Sequence, residues 1–173
     1  MGGNPMNTKD SRQVTTPRVD ANLVKFSAGS TLLLTALAFL LNTQYGGPIL
    51  VVITTIIMAL SALVPEASPY RLLYKSIVVP LGLVKPRVVE DDPNPHRFAQ
   101  GVGAAFLVAS AIVLFFFTWL TPLGWIFDLI VTALSAINLT VGFCAGCFVY
   151  YHLGRLGLLP KVRYQGNFHW RGV

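Results

Sequence analysis

Residues 98–120 read FAQGVGAAFLVASAIVLFFFTWL, an uninterrupted run with no charged side chain. As a helix rising about 1.5 Å per residue it is long enough to cross a hydrocarbon core of about 30 Å. Three further stretches have the same character: Leu23–Leu41, Pro48–Val64 and Trp125–Tyr151. With 12% charged residues and a mean hydropathy of +0.62, the composition excludes an ordinary soluble domain. The expected fold is all-α: a polytopic membrane protein of four transmembrane helices plus a short interfacial helix between the second and third. About twenty polar residues precede the first span, unlike a secretory signal, so that span is expected to be retained.

The net charge of +6 is distributed unevenly. Lys9, Arg12, Arg18 and Lys25 precede the first span, and Arg71, Lys75, Lys85, Arg87 and Arg97 lie between the second and third. Arg155, Lys161, Arg163 and Arg171 follow the fourth, while the connections NTQYGGP and TPLG carry no basic residue. The positive-inside rule then sets both termini on the cytoplasmic side of a cell inner membrane. No nucleic-acid partner is expected, since that would call for basic residues interleaved with exposed aromatics on a soluble domain. The lipid bilayer is the first partner.

Three regions follow from the connecting segments. Residues 1–18 form a polar arm without periodicity, 19–157 the four-helix domain, and 158–173 an aromatic and basic tail suited to a membrane surface or another subunit. Asp20 is positioned to cap the first helix. Gly46, Gly47 and Pro48 suit an outer turn, with Tyr45, Trp119 and Trp125 as an aromatic belt beside it. SPYRLLYKSIVVP, from Ser68, suits a helix at the inner headgroups with Arg71 and Lys75 toward anionic lipid. EDDPNP, from Glu90, reads as a solvated loop. Asp128 is the one acid expected inside a span, near its outer end, which does not make an ion pathway.

GFCAGCFVYYH, from Gly142, carries both cysteines of the chain. On a continuous helix Cys144 and Cys147 lie about 60° apart, in a stripe with Thr140, Phe148, Tyr151 and Arg155, while Gly142 and Gly146 form a GxxxG pair on the opposite side. Gly101 and Gly103 are packing positions on the third helix. Inert packing is the plainest reading of the thiols. A redox pair would need the Cβ atoms within about 4.5 Å, closer than the roughly 5–6 Å of helical neighbours, hence a local distortion. Zinc would need two more ligands from His96, His152 and His169, and a sulfur carrier needs only one accessible thiol. No cofactor or metal is expected. Near a helix C-terminus in low dielectric, a thiolate is disfavoured unless a cation helps. Arg97, with Gln100 at the same membrane level, is the candidate. His152 and His96 read as surface histidines, with haem or pigment ligation as the alternative.

PHRFAQGVG from Pro95 and FCAGCFVYYHLGR from Phe143, with VDANLVKFSAG from Val19 and SPYR from Ser68, resemble an uncharacterised family of small bacterial four-helix membrane proteins, a domain of unknown function. The resemblance spans residues 19–157 and marks Arg97, Phe98, Gln100, Gly101, Cys144, Gly146 and Cys147 as motif positions. It implies no reaction. Some members accompany thioredoxin-like or sulfurtransferase proteins, which implies thiol or sulfur chemistry by association.

Two functions therefore compete. In the first, Cys144 and Cys147 form a membrane thiol-redox or sulfur-relay site, with Arg97 favouring the thiolate. In the second, the chain is a non-catalytic accessory subunit of a larger membrane complex. The sequence carries no Ser/His/Asp set, phosphate loop or paired carboxylates.

Overall fold

The computed structural model describes residues 18–42, 46–82 and 84–158. The two polar ends of the chain and Tyr45 lie outside these residues, and with them the expectations for the N-terminal arm, most of the tail and that member of the aromatic belt.

Four long apolar helices make up the body: α1 (Ala21–Leu40), α2 (Gly46–Leu63), α4 (Pro93–Phe116) and α5 (Thr121–Val141). Each is long and apolar enough to span a bilayer, α5 with the 3₁₀ turn Thr118–Leu120 that leads into it. They pack as a ring, α1 beside α2 and α5, and α4 beside the same two. Two shorter helices, α3 (Pro69–Leu73) and α6 (Ala145–Arg155), and a ribbon of β1 (Arg18–Asp20) with β2 (Val88–Glu90) complete the fold. Every described Lys and Arg lies at or beside the end of the bundle that carries α3, α6 and this ribbon.

The interior and exterior are sorted as a bilayer requires. Leu33, Leu40, Ile56, Leu63 and Phe116 are exposed on the outside. Buried inside are Ala38, Val51, Met58, Ala104, Leu107 and Val131, with hydroxyl side chains among them. The hydroxyls of Thr35, Thr54, Thr55 and Ser61 each donate to a carbonyl one turn back, at 2.7–2.9 Å. Ser110 instead donates across to the Gly124 carbonyl of α5 at 2.8 Å. Without water, each polar group must be satisfied within the protein, and small hydroxyls do this while letting helices approach.

Asp20 caps α1 as its position suggests, accepting from the Asn22 N–H at 3.0 Å, and the same oxygen accepts from Arg87 N–H at 3.1 Å. One carboxylate thereby starts α1 and holds the segment before α4 against it. The ribbon was not legible as strands, because three-residue strands carry no useful periodicity. The segment between α2 and α4 does form a short helix, α3, continued by a π-helical turn, Tyr74–Val78. Tyr70 on α3 is buried and its hydroxyl meets Thr31 Oγ1 of α1 at 2.8 Å. Burial pushes the Tyr70 phenol above its usual range, so it stays neutral.

Three expectations are corrected at the far end. Gly46, Gly47 and Pro48 open α2 rather than forming a separate turn. Gly47 is a contact point: a Cβ there would lie 2.6 Å from the Ala38 carbonyl oxygen and 2.8 Å from the Trp125 ring. Trp125 is thus buried in the bundle and is no interfacial belt residue, whereas Trp119 is 77% exposed. Asp128 is not peripheral either. It is fully buried, and neither of its oxygens has a hydrogen-bond partner among the described residues.

Candidate functional site

The fourth span does not run through the cysteines. After Val141 the chain turns at Gly142, whose φ of 72° is left-handed and ends α5. α6 then begins with Cys144 as its N-cap, in extended conformation at φ −96° and ψ 98°. The length offered a hint: residues 125–151 as one helix would extend about 40 Å, well beyond a hydrocarbon core of about 30 Å. A glycine where the core should end is the stop signal.

This break reverses two inferences drawn from a continuous helix. Cys144 and Cys147 sit at the N-terminal end of α6, where the free amides and helix dipole favour negative charge on sulfur. The Cys147 N–H donates to Cys144 Sγ at 3.3 Å. The extended N-cap also supplies the distortion a disulfide needs: the two cysteines are bonded to each other, with Cα atoms 5.2 Å apart. Gly142 and Gly146 are correspondingly not a paired packing face. Gly142 is the turn, and Gly146 alone packs, with a Cβ there falling 2.6 Å from Ala99 Cα on α4.

That contact joins the two motifs. Ala99 belongs to the RFAQG stretch, so α6 lies directly against the first turns of α4, helped by Phe98 and Tyr150, whose rings meet edge to face at 5.4 Å. Tyr150 is buried, and its phenol is pushed above its usual range by that burial and by the Asp92 carboxylate. Gly103 packs on Met58 of α2, where a Cβ would come within 2.6 Å of the methyl carbon, and Gly101 stands at ordinary distance from Ala62.

The residue that α4 brings to the sulfur is His96. Its Nδ1 lies 3.5 Å from Cys147 Sγ, and its Nε2 lies 3.0 Å from Asp91 Oδ2. The carboxylate accepts the Nε2 proton, which leaves Nδ1 as the lone-pair nitrogen of a neutral ring and a donor when the ring is charged. Either form suits a sulfur that must gain or lose a proton. Arg97 points elsewhere: its guanidinium donates to the carbonyls of Ala62 and Leu63 at 3.2 and 3.4 Å, closing the C-terminal end of α2.

EDDPNP is therefore no mere solvated loop. Asp91 orients His96, and the buried Asp92 caps α4 by accepting from Asn94 N–H at 3.0 Å. Sequence spacing hid this triad because Asp91 precedes the helix and Cys147 comes 51 residues after His96. His152 stays away from the sulfurs, its ring 4.3 Å from that of Phe148.

The donor atoms of His96, Cys144 and Cys147 all lie within 4.8 Å of one another. Once the sulfurs are reduced, these three are the residues able to hold a borderline or soft metal ion, one ligand short of a closed zinc site. As a disulfide they are committed to each other. The two sulfurs also differ in surroundings: Cys144 is 5% exposed and borders a half-open pocket between the helices, whereas Cys147 is only partly covered.

A family model described as a domain of unknown function (DUF4395) matches residues 19–155. No curated protein matches the chain. No solved structure does either.

Proposed function

The chain belongs to this DUF4395 family, a domain of unknown function, and from its site we propose that it is a membrane dithiol–disulfide exchange protein acting through Cys144 and Cys147. The observation that carries the reading is a disulfide at a helix N-terminus with one sulfur in contact with a carboxylate-oriented histidine.

The exchange follows from the differing exposure of the sulfurs. A thiolate of a partner dithiol attacks the more accessible Cys147 Sγ, and the S–S bond breaks with its electron pair leaving on Cys144. That leaving thiolate is stabilised where it forms, by the Cys147 N–H and the amides opening α6. The partner's second thiolate then attacks its own sulfur in the mixed disulfide and releases Cys147, which takes a proton through His96. The partner loses two electrons and becomes a disulfide; Cys144 and Cys147 gain them and become a dithiol. A thioredoxin-like or sulfurtransferase protein is a partner of the right chemistry. A sulfur relay would need one reactive thiol, and a bonded pair favours electron transfer over it.

The basic residues gathered at the site's end of the bundle support, by the positive-inside rule, a dithiol at the cytoplasmic face of a bacterial inner membrane with both termini on that side. The test is a redox titration of the folded protein against dithiothreitol couples, read by mass after thiol alkylation. A reversible two-electron transition is expected, and Cys144→Ser should hold a partner or small thiol on Cys147 as a stable mixed disulfide. A pair that never reduces in the folded protein would sink the proposal and leave the accessory-subunit role, for which co-purification of a stoichiometric complex is the positive sign.

A further inference from the structure

A disulfide that accepts electrons from a partner must pass them on, and Cys144 faces the place where this can happen. A half-open pocket of about 130 Å³ lies between α1, α4 and α5, with Cys144 and His96 in its wall. Its lining is mainly apolar, with Ala28, Met58, Phe106 and Val131 among the contributors. An enclosed apolar void of about 150 Å³ holds one benzene ring, so this somewhat smaller, half-open pocket admits a six-membered ring only with its substituents and tail in the open mouth.

Polar groups in the wall are left without protein partners. The side chains of Gln100, Ser135 and Asn138 border the pocket and make no hydrogen bond among the described residues. All three lie on helices that span the membrane. All three are partly covered and lie toward the end of the bundle that carries the cysteines, so their hydrogen-bonding groups are free to meet a ligand entering the pocket. Val102 and Leu134 of the spanning helices also line the half-open pocket and are 36% and 41% exposed.

We propose that this pocket binds the head group of a quinone-class, lipid-soluble two-electron acceptor, which reoxidises the Cys144–Cys147 dithiol. The assignment rests on the dithiol reading above and names its second substrate. A flat ring with two carbonyl oxygens matches the donors of Gln100, Ser135 and Asn138, and its tail leaves through the open mouth. In the reaction, the Cys144 sulfur bonds to a ring carbon. Cys147 sulfur then attacks Cys144 sulfur, forming the disulfide and breaking the carbon–sulfur bond, whose electron pair enters the ring. The two thiol protons end on the two ring oxygens, one by way of His96. The quinone becomes a quinol and the dithiol a disulfide, so two electrons and two protons are transferred.

The experiment uses the full chain in lipid nanodiscs, reduced and freed of reductant under anaerobic conditions, with decyl-benzoquinone as the probe. Disulfide formation is read by mass after alkylation, and quinol by absorbance. One quinone should be consumed per disulfide formed. Asn138→Leu and Gln100→Leu should each slow that reaction about tenfold or more, while reduction of the same variants' disulfides by dithiothreitol stays within about twofold of the unmodified chain. The dithiothreitol rate reports whether a variant's site is intact, so a variant that misfolds is recognised and the other carries the comparison. Failure of the unmodified dithiol to reduce quinone, or intact variants reacting at its rate, overturns the proposal and leaves dithiol exchange standing. If dithiothreitol cannot reduce the unmodified chain at all, the exchange reading falls, and the quinone site with it.

Discussion

Gly146→Ala tests the site through the contact that builds it. The added Cβ would lie 2.6 Å from Ala99 Cα, against an ordinary carbon–carbon separation of about 3.5–4.0 Å. Backbone cannot swing aside as a side-chain tip can, so α6 must retreat from α4 by about 1 Å. Overpacking of this kind costs about 1–3 kcal/mol, offset in part by the roughly 1 kcal/mol that alanine gains over glycine in a helix, so the bundle survives. The displacement carries Cys147 from 3.5 Å to beyond contact with His96 Nδ1. A hydrogen bond to a charged sulfur is worth about 1.5–3 kcal/mol, which lowers the thiolate population roughly 10- to 150-fold. A more basic thiolate is also a better nucleophile, by about half that amount in the exponent, so alkylation of reduced Cys147 near neutral pH should slow about 3- to 10-fold. The assay is stopped-flow alkylation of the reduced protein, resolved by peptide mass. Gly103→Ala is the control: its Cβ meets the flexible end of Met58, and the rate should be unchanged. A folded Gly146→Ala protein that reacts at the unmodified rate would refute the reasoning.

Further outcomes follow from named contacts. His96→Ala should slow alkylation of Cys147 by about the same 3- to 10-fold, with Asp91→Asn giving a smaller effect because it removes only the group orienting the ring. Arg97→Ala should lower stability by about 1–3 kcal/mol in a detergent melt, through the uncapped Ala62 and Leu63 carbonyls, and leave Cys147 reactivity within about twofold. A tenfold loss of reactivity there would return Arg97 to the sulfur. Cys144→Ser should keep α6 folded, as serine is a strong N-cap, so its circular dichroism should match that of the unmodified chain while two-electron exchange is abolished. Asp128→Asn should raise the melting temperature in detergent, because a buried carboxylate without partners among the described residues is replaced by an amide of similar shape; a lower temperature would show that the acid has a partner or function.

The sequence by itself determined the membrane architecture. Chains such as residues 98–120 have no other way to bury so much apolar surface, so span number and the gathering of basic residues at one end follow from composition and order. Asp20 was legible as a helix cap because capping is a local interaction. The candidate site was legible only as ingredients. Cys144 and Cys147 were conspicuous, but hydropathy does not mark where an apolar helix stops and a second begins, and the turn at Gly142 reverses the dipole acting on both sulfurs. His96 beside Cys147, Asp91 beside His96, and Arg97 turned away to α2 depend on where α6 docks on α4. Steric approach at Gly146 and Ala99 sets that docking, and such contacts between residues far apart in the chain leave no period or spacing to read.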